Sequence, residues 1–386
     1  MRKGIWQEFD GYEKIIAEIE AGRKFGDGDF FDKIPVDYYI NRLHPATMHL
    51  RIADIIDETP STQTIRLVSE NGYLPPFQAG QYISLCLEVD GILTSRPYSI
   101  SSAPNQTGLY DITIRRVENG LVSNFMLDRA KKGAVFESSG PAGHFHFNPL
   151  VHDKTLVCIA GGSGITPFMS MIREIVECGL DRTIYLLYGN QTTDDIIFHQ
   201  ELSHISERFD NIHYHPVIEE PADNYEGLTG FINADLIRNI LGDGLADKTF
   251  FLCGPQGMYD FCLPELEKLG IARRKIKKEV YGTPLNIREY PGWPQSIKAD
   301  AVFKISVKNG KQFEVRAGEA LLPSLEKNGI LIPTVCRSGE CSMCRIKVLS
   351  GKVFQPASTP VRKSDRKYGY IHACVSYPLE NLEILL

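Results

Sequence analysis

Residues 334–345 read Thr334-Val-Cys-Arg-Ser-Gly-Glu-Cys-Ser-Met-Cys-Arg345, which places three cysteines within nine positions. A fourth, Cys374, follows after 29 intervening residues. This spacing is typical of plant-type [2Fe–2S] sites, in which a tight loop presents three thiolates and a later segment supplies the fourth. Gly339 lies inside the loop, where the backbone must bend sharply beside the inorganic sulfides. We therefore predict a [2Fe–2S] cluster ligated by Cys336, Cys341, Cys344 and Cys374.

The four cysteines could also form a zinc site or be placed by chance. Zinc sites usually combine two short C-x2–4-C pairs, whereas a single later cysteine is the only second partner here. Chance placement at this spacing is improbable in a chain with nine cysteines in total. Among the other five, four are predicted to be small buried hydrophobic residues, namely Cys86, Cys158, Cys178 and Cys262.

The residues before the cysteine loop predict a small domain of strands and one helix. Residues 301–307 and 312–316 alternate apolar with polar side chains, and the Asn-Gly pair between them is typical of a hairpin turn. A helix-like run, residues 320–327, then leads into the cysteine loop. Two strands, a helix and this loop resemble the β-grasp ferredoxin fold over residues 300–386.

The length and charge of the chain limit what the rest of it can be. At about 150 residues per domain, 386 residues predict two or three domains. The chain has 42 basic and 48 acidic side chains and no long basic run, which argues against a partner made of nucleic acid. Residues 82–89, a typical apolar run, are far shorter than the roughly 20 residues of a membrane helix, and residues 1–10 lack the apolar core of a signal peptide. We predict a soluble, cytoplasmic protein with no integral membrane segment.

Patterning along the chain predicts a multidomain protein. Short alternating strands separated by turn residues indicate an antiparallel β-barrel over residues 49–149. Apolar runs that alternate with helical patterns indicate an α/β domain with a parallel sheet over residues 150–281. Three prolines and two glycines without periodicity mark residues 282–299 as a linker to the C-terminal domain.

Two segments of the α/β region are suited to an anionic ligand. Gly161-Gly-Ser-Gly-Ile-Thr-Pro167 follows an apolar strand and opens a helix, so backbone amides and the positive end of the helix dipole can approach an anion. By itself, this loop could be an ordinary tight α/β connection. Residues 250–258 read Phe-Phe-Leu-Cys-Gly-Pro-Gln-Gly-Met and end another strand at the same carboxyl edge, where open α/β sheets bind ligands. The two segments together indicate a ligand site at that edge.

The barrel region contains a set of residues suited to a flavin. In Arg96-Pro-Tyr-Ser99 the arginine can pair with a pyrophosphate, the tyrosine can lie against a flat ring, and the serine offers a small hydroxyl. An ordinary surface strand would also explain this short motif. Gly120-Leu-Val-Ser123 opens a helical pattern with Ser123 as its predicted N-cap, and the helix end could hold a flavin phosphate. Gly140-Pro-Ala-Gly-His-Phe145 closes the barrel region.

Taken in order, these motifs resemble those of the ferredoxin–NADP reductase superfamily. They are Arg-x-Tyr-Ser, G-x-V-S, G-P-x-G-x-F, G-G-x-G-I-T-P and C-G-P-x-x-M. With its C-terminal plant-type ferredoxin module, the chain is similar to class I oxygenase reductases, including the phenylacetyl-CoA epoxidase, phenol and hybrid-cluster-protein reductase types. The resemblance covers residues 49–386. Ser342 departs from it, because many members carry glycine after the second cysteine.

The resemblance implies sites for FAD and NAD(P)H beside the cluster. FAD would be held by Arg96, Pro97, Tyr98, Ser99, Arg115, Gly120, Val122 and Ser123. NAD(P)H would be held by Gly161, Gly162, Gly164, Thr166, Asn190, Gly254, Pro255 and Met258. The catalytic residues would be Cys253, close to the hydride-bearing carbon, Glu279, near the flavin–nicotinamide contact, and Ser99. A solvated carboxylate at a strand end would explain Glu279 equally well.

The choice between NADH and NADPH depends on the adenosine side of the site. Gln191 stands where family members often carry an arginine, the kind of cation that a 2′-phosphate would need. This favours NADH, although Arg273 and Arg274 keep NADPH open. In either case, the resemblance implies an NAD(P)H oxidoreductase that passes electrons singly through FAD and the cluster to a redox-acceptor protein, such as an oxygenase component.

Two other functions remain open. The chain could be an electron-transfer subunit of a larger redox complex, although the cluster domain of such subunits is short and places its fourth cysteine close to the third. It could also be a redox sensor that uses the cluster for signalling. The residues identify neither the acceptor nor the oligomeric state.

Residues 1–48 form a predicted helical extension that lies outside the resemblance. It has an amphipathic stretch at residues 11–21 and a glycine- and aspartate-rich bend at residues 26–29. The apolar face would comprise Trp6, Phe9, Tyr12, Ile15, Ile16 and Ile19. This face could pack over the barrel, or it could form a docking or dimer surface.

Overall fold

The computed structural model describes residues 11–25, 36–223, 225–284, 286–357 and 359–386, and it divides into two units, residues 1–46 and 47–386. The first unit contains helices α1 (Tyr12–Phe25) and α2 (Val36–Leu43). Ile15 and Ile19, on the predicted apolar face, are exposed. Trp6, Phe9 and the predicted bend at residues 26–29 lie outside the described residues. No helix in the described part of the chain is long and apolar enough to cross a bilayer.

The second unit begins with a six-stranded antiparallel sheet. Its strands are β1 (Met48–Thr59), β2 (Thr62–Ser69), β3 (Tyr82–Val89), β4 (Ile92–Ser99), β5 (Tyr110–Arg115) and β6 (Val135–Ser138), in the order β4-β3-β6-β1-β2-β5. Alternate side chains such as Ile65 and Leu67 enter one core, because successive residues of a strand face opposite sides. Helix α3 (Leu121–Asp128) packs Val122 and Met126 into the same core. The predicted antiparallel architecture is confirmed.

A six-stranded parallel sheet follows. Its strands are β7 (Thr155–Gly161), β8 (Thr183–Asn190), β9 (Ile212–Ile218), β10 (Leu228–Thr229), β11 (Lys248–Cys253) and β12 (Ile276–Glu279), in the order β10-β9-β8-β7-β11-β12. They are connected by α4 (Thr166–Cys178), α5 (His199–Arg208), α6 (Ala234–Leu241) and α7 (Gln256–Lys268). Strand β7 is buried on both faces, since Cys158 and Val157 belong to different apolar clusters. The predicted α/β architecture is confirmed.

The pattern of residues 195–208 predicts a helix, but helix α5 begins only at His199. Residues 193–195 form a short 3-10 turn instead. Asp195 accepts hydrogen bonds from Ser61, in the turn between β1 and β2, and from Arg115 on β5. Phe198, which precedes α5, has a φ of 60°. The contacts of Asp195 with the antiparallel sheet therefore outweigh the helical pattern of residues 195–198.

The isolated cysteines are less uniformly buried than predicted. Cys158 and Cys262 are buried, as expected, and Cys86 is half-buried. Cys178 is exposed, so the prediction of a core residue is wrong there. It is the last residue of α4, directly before a left-handed glycine that ends the helix, and it therefore stands at the surface.

The C-terminal part has the predicted β-grasp architecture. Its main sheet, in the order β14-β13-β19-β15-β17, contains β13 (Val302–Val307), β14 (Gln312–Arg316), β15 (Arg345–Ser350), β17 (Tyr370–His372) and β19 (Leu382–Leu385). A smaller sheet pairs β16 (Val353–Phe354) with β18 (Tyr377–Pro378), and the helices are α8 (Leu321–Lys327) and α9 (Lys363–Lys367). Asn309, with a φ of 59°, forms the predicted hairpin turn between β13 and β14. Helix α8 packs against β4, which brings this domain against the antiparallel sheet.

The proline-rich segment at residues 282–299 carries its own small apolar cluster. Ile287 and Trp293 are buried there together with Ala320 and Tyr377 of the C-terminal domain. Burial of a large aromatic side chain anchors a segment firmly. The segment is therefore held on the C-terminal domain.

Candidate active site

A cavity of about 480 Å³, here termed the flavin cavity, lies where the antiparallel sheet, the parallel sheet and the C-terminal domain meet. All eight residues predicted to hold FAD line it: Arg96, Pro97, Tyr98, Ser99, Arg115, Gly120, Val122 and Ser123. Burial, and after it the charge of nearby Arg337, lowers the pKa of Arg96 to about 10. A cation that has lost much of its water gains from an anionic partner. The cavity therefore fits a ligand that carries phosphates.

The N-cap predicted at Ser123 is wrong. Helix α3 begins at Leu121 with Gly120 in the N-cap position, so Ser123 lies within the first turn. A backbone hydrogen bond of 2.9 Å from Gly120 N to Val117 O closes a turn immediately before the helix and starts the helix earlier. The Ser123 hydroxyl accepts a hydrogen bond of 3.4 Å from Val117 N instead. The free amides of this first turn still border the cavity, where they suit a phosphate.

A larger cavity of about 1070 Å³, here termed the nucleotide cavity, lies at the carboxyl edge of the parallel sheet. It is lined by most of the residues predicted to hold NAD(P)H, namely Gly161, Gly162, Gly164, Asn190, Gly254, Pro255 and Met258. Thr166 lines the flavin cavity instead. Asn190 Oδ1 is buried without a hydrogen-bond partner among the described residues. An orphaned buried acceptor is costly, so it fits a site in which the ligand supplies the donor.

The two loops that line the nucleotide cavity touch each other. A Cβ on Gly164 would overlap the carbonyl group of Cys253 and stand 2.7 Å from the Gly254 nitrogen. A Cβ on Gly161 would stand 2.8 Å from the sulfur of Met258. Glycine is required at position 164 because no side chain fits between two backbone segments at this distance.

Tyr281 lies between the two cavities and lines both. Its hydroxyl oxygen is 2.6 Å from Ser99 Oγ, and it also forms a hydrogen bond with the Cys253 thiol. Cys253 is fully buried, and burial raises the pKa of its thiol well above the ordinary value. It is therefore a neutral thiol beneath Tyr281. Tyr281 was not predicted from the sequence, although its place just after a strand at the ligand-binding edge was a usable signal.

Glu279 ends β12 and is only 6% exposed, so it is not a solvated carboxylate at a strand end. Burial, and after it the charges of Glu340 and Cys336, raises the pKa of Glu279 to about 8. Tyr259 donates a hydrogen bond to the backbone carbonyl of Glu279. Neither Glu279 nor Cys253 is among the described residues that line the two cavities. Their contact with the nicotinamide stays a prediction.

The four predicted cluster ligands come together in the C-terminal domain. The sulfur atoms of Cys344 and Cys374 are 3.3 Å apart, and Cys336 Sγ accepts hydrogen bonds of 3.4 Å from the amides of Ser338 and Cys341. A hydrogen bond from the Cys341 thiol, with help from these amides, lowers the pKa of Cys336. Amides directed at a sulfur favour the thiolate form that iron requires. None of the four cysteines is in a disulfide bond, and the set fits a [2Fe–2S] cluster.

Gly339 allows the cysteine loop to close. Its φ is 87°, and a Cβ there would stand 2.8 Å from the Val375 side chain. The Gly339 carbonyl accepts a hydrogen bond of 2.7 Å from His372 Nδ1, which ties the loop to β17 just before Cys374. Three ligands are buried, whereas Cys341 is half-exposed. One side of the cluster site is therefore close to the surface.

Ser342, where the chain departs from the family pattern, has a φ of 60°. We expect Ser342→Gly to stabilise the C-terminal domain by about 1 kcal/mol, because a left-handed conformation costs residues other than glycine roughly that much. The midpoint of cluster loss on heating measures the change. Ser338→Gly, in the same loop but outside the left-handed region, should bring no gain. Equal stabilisation by both variants would contradict the explanation.

The cluster site borders both cavities. Cys374 and Arg337 line the flavin cavity, while Ser338, Glu340 and Val375 line the nucleotide cavity. No sequence pattern indicated these contacts, because they depend on how separate domains pack. The three predicted cofactor sites thus share walls.

Comparison with known proteins agrees with the three predicted cofactor domains. Residues 52–147 match the family described as "Oxidoreductase FAD-binding domain", residues 158–263 match "Oxidoreductase NAD-binding domain", and residues 306–379 match "2Fe-2S iron-sulfur cluster binding domain". The chain is 31% identical over 357 residues to a glycine betaine monooxygenase reductase subunit of Pseudomonas aeruginosa, which covers 88% of this chain and 97% of the relative. The chain belongs to the ferredoxin–NADP reductase superfamily.

Two further similarities support this assignment. The reductase is 29% identical over 336 residues to the NADH oxidoreductase HCR of Escherichia coli, covering 86% of this chain and 96% of the relative. The solved structure of phthalate dioxygenase reductase, at 22% identity, has the same fold with a TM-score of 0.64 over 88% of this chain and 98% of that chain. The reductase transfers electrons from NAD(P)H through FAD and a [2Fe–2S] cluster to a protein acceptor.

Proposed function

We propose that this reductase is the NADH-dependent electron donor of an oxygenase component. The observation that carries the proposal is the position of Cys374, a predicted cluster ligand that lines the flavin cavity. A cluster held by Cys374 would share a wall with the flavin. An oxygenase is favoured as the acceptor because a monooxygenase reductase subunit is among the relatives. A cytoplasmic location stays a prediction, favoured by nine unpaired thiols, which suit a reducing compartment.

The cofactors supply the redox chemistry, and the chain supplies their placement. When bound, the flavin takes a hydride from the nicotinamide and releases the two electrons singly, because it is stable in both one- and two-electron reduced forms. Arg96 offers a desolvated cation to the flavin phosphates. Arg115 lines both cavities and is held by an ion pair with Asp195, so it fixes the junction of the two sheets. Tyr281 lines both cavities and would lie between the two ligands.

The adenosine side of the nucleotide cavity is acidic. Gln191 and Glu219, at the carboxyl ends of β8 and β9, line the cavity, and Gln191 Nε2 donates a hydrogen bond of 3.2 Å to Glu220 Oε1. Carboxylates in such a place accept hydrogen bonds from ribose hydroxyls and repel a 2′-phosphate. Arg273 and Arg274 are exposed and precede β12. They therefore lie at the amino end of this strand, away from the carboxyl ends that border the nucleotide cavity. Their position gives NADPH no support, which leaves NADH favoured.

We expect the double variant Gln191→Arg/Glu219→Gln to shift the reductase towards NADPH. The variant removes a carboxylate and adds a guanidinium that can bind a 2′-phosphate. Charge-assisted hydrogen bonds contribute about 1.5–3 kcal/mol, so the ratio of kcat/KM for NADPH to that for NADH should rise roughly 10- to 100-fold. Arg274→Gln is the control and should leave this ratio unchanged. A fall in NADPH use in the control would contradict the assignment of the adenosine side.

Reconstitution with the acceptor tests the proposed function. The tagged reductase is isolated from its own cells, and the proteins that co-purify with it are identified. With NADH and a co-purifying oxygenase component, we expect NADH oxidation coupled to oxygen uptake and product formation. An acceptor that is reduced without oxygen consumption would remove the oxygenase from the proposal. A permanent larger complex on gel filtration would instead favour an electron-transfer subunit.

A further inference from the structure

An ion pair in the cysteine loop is buried at the border of two domains. Arg337 directly follows the cluster ligand Cys336, and its two terminal nitrogens donate hydrogen bonds of 2.6 and 2.8 Å to the two carboxylate oxygens of Glu326. Glu326 belongs to α8, and both residues are only 7% exposed. A bidentate pair of this kind fixes both the distance and the orientation of its partners.

The same carboxylate is bound from the other domain. Thr94, on β4 of the antiparallel sheet, donates a hydrogen bond of 3.0 Å to Glu326 Oε2. The Thr94 hydroxyl in turn accepts a hydrogen bond of 2.8 Å from Arg96 Nη1. Arg337, Glu326 and Thr94 therefore connect the cysteine loop to Arg96, which lines the flavin cavity.

The charges in this network do not cancel. The network holds two guanidinium groups and one carboxylate, which Arg337 binds directly and Arg96 reaches only through Thr94. Both arginines line the flavin cavity. Burial and the charge of Arg337 lower the pKa of Arg96. The excess positive charge lies beside the cavity that fits a phosphate-bearing ligand, so the network is complementary to that ligand.

The backbone of Arg337 also requires outside support. Its φ is 55°, a left-handed conformation that is unfavourable for arginine. Such conformations persist where the surrounding contacts hold them, and they concentrate at functional sites. Arg345 offers a contrast, because it follows the ligand Cys344 and pairs with Asp365 at 3.1 Å, but this pair lies within the C-terminal domain.

We propose that Thr94, Glu326 and Arg337 form an interdomain lock that holds the cysteine loop against the flavin cavity and so sets the rate at which electrons pass from the flavin to the cluster. The three are positioning residues, since they act through the placement of Cys336 and its loop. The lock rests on the electron route stated above. It also predicts that the loop itself becomes less ordered when the lock is broken.

The first test is anaerobic rapid mixing of NADH with the holoenzyme carrying Glu326→Gln or Thr94→Val. With added FAD keeping every variant fully occupied by flavin, we expect the loss of flavin absorbance to keep its wild-type rate. The reduction of the cluster should slow roughly tenfold, since displacements far from the reacting atoms have costs of at least that order. The double variant should reduce its cluster only slightly more slowly than the slower of the two single variants, because both changes break the same network. Arg345→Gln is the matched control and should behave like the wild type.

The second test does not depend on activity. In the same holoenzymes, hydrogen exchange of the peptide that spans residues 333–340 should be faster in Glu326→Gln and Thr94→Val than in the wild type or Arg345→Gln. If Glu326→Gln loses its cluster, Thr94→Val decides, because Thr94 lies outside the cluster domain. Wild-type rates of cluster reduction and exchange in Thr94→Val would overturn the lock, as would equal effects from Arg345→Gln. A wild-type cluster that NADH never reduces would overturn the electron route itself.

Discussion

Cys341→Ser is expected to abolish NADH-dependent reduction of a one-electron acceptor protein. A serine oxygen is a poor ligand for iron compared with a thiolate, so the cluster should be lost from the purified variant. Cys341 is the half-exposed ligand, and the change should disturb packing less there than at the buried cysteines. The iron–sulfur absorbance and the rate of acceptor reduction measure the effect, and both should fall to background.

The flavin half of the reaction should survive this change. Small acceptors such as ferricyanide take electrons from flavin directly, so NADH–ferricyanide activity should stay near the wild-type rate. Cys178→Ser is the control, since Cys178 is exposed at the end of α4 and outside the cluster site. Acceptor-protein reduction that persists in Cys341→Ser would show that electrons leave the chain without passing through the cluster.

Gly164→Ala is expected to weaken NADH binding severely. The added methyl group would overlap the backbone of Cys253 and force apart the two loops that line the nucleotide cavity. Overpacking of this kind costs about 1–3 kcal/mol, which corresponds to a roughly 10- to 100-fold rise in the NADH dissociation constant. The dependence of the rate of flavin reduction on NADH concentration, recorded by anaerobic rapid mixing, measures it.

A matched glycine in the same domain separates this effect from general instability. A Cβ on Gly244 would stand 3.6 Å from its nearest neighbour, the Lys248 side-chain nitrogen. This glycine precedes β11, so it lies at the amino ends of the strands, away from the nucleotide cavity. Gly244→Ala should therefore bind NADH like the wild type. Unchanged binding in Gly164→Ala, with normal thermal unfolding, would show that the two loops do not form the NADH site.

The residues that were predictable from the sequence are those whose chemistry is local. The four cysteines, Gly164 and Gly339 follow from spacing and from backbone geometry that few residue types allow. The residues next to them in the sequence are enough to identify their roles. The cofactor domains and their order could therefore be predicted without coordinates.

The residues that were missed depend on contacts between domains. Tyr281, Glu326 and Arg337 look like ordinary strand-end, helix and loop residues in the sequence, and their roles arise only when three domains meet. Of the three local errors, only the one at Asp195 has this origin, because Cys178 lies at an exposed helix end. Asp195 lies outside α5 because residues of the neighbouring sheet bind it. Ser123 is not the N-cap of α3 because a turn closes at Gly120 and the helix begins directly after it.

The half-exposed Cys341 and the buried Cys374 give the cluster site an inner and an outer side. Cys374 borders the flavin, whereas Met343, beside the outer ligand, is 49% exposed. A bound cluster would therefore have its flavin side inside the protein and its Cys341 side towards the surface. We expect the acceptor protein to dock beside Cys341 and Met343.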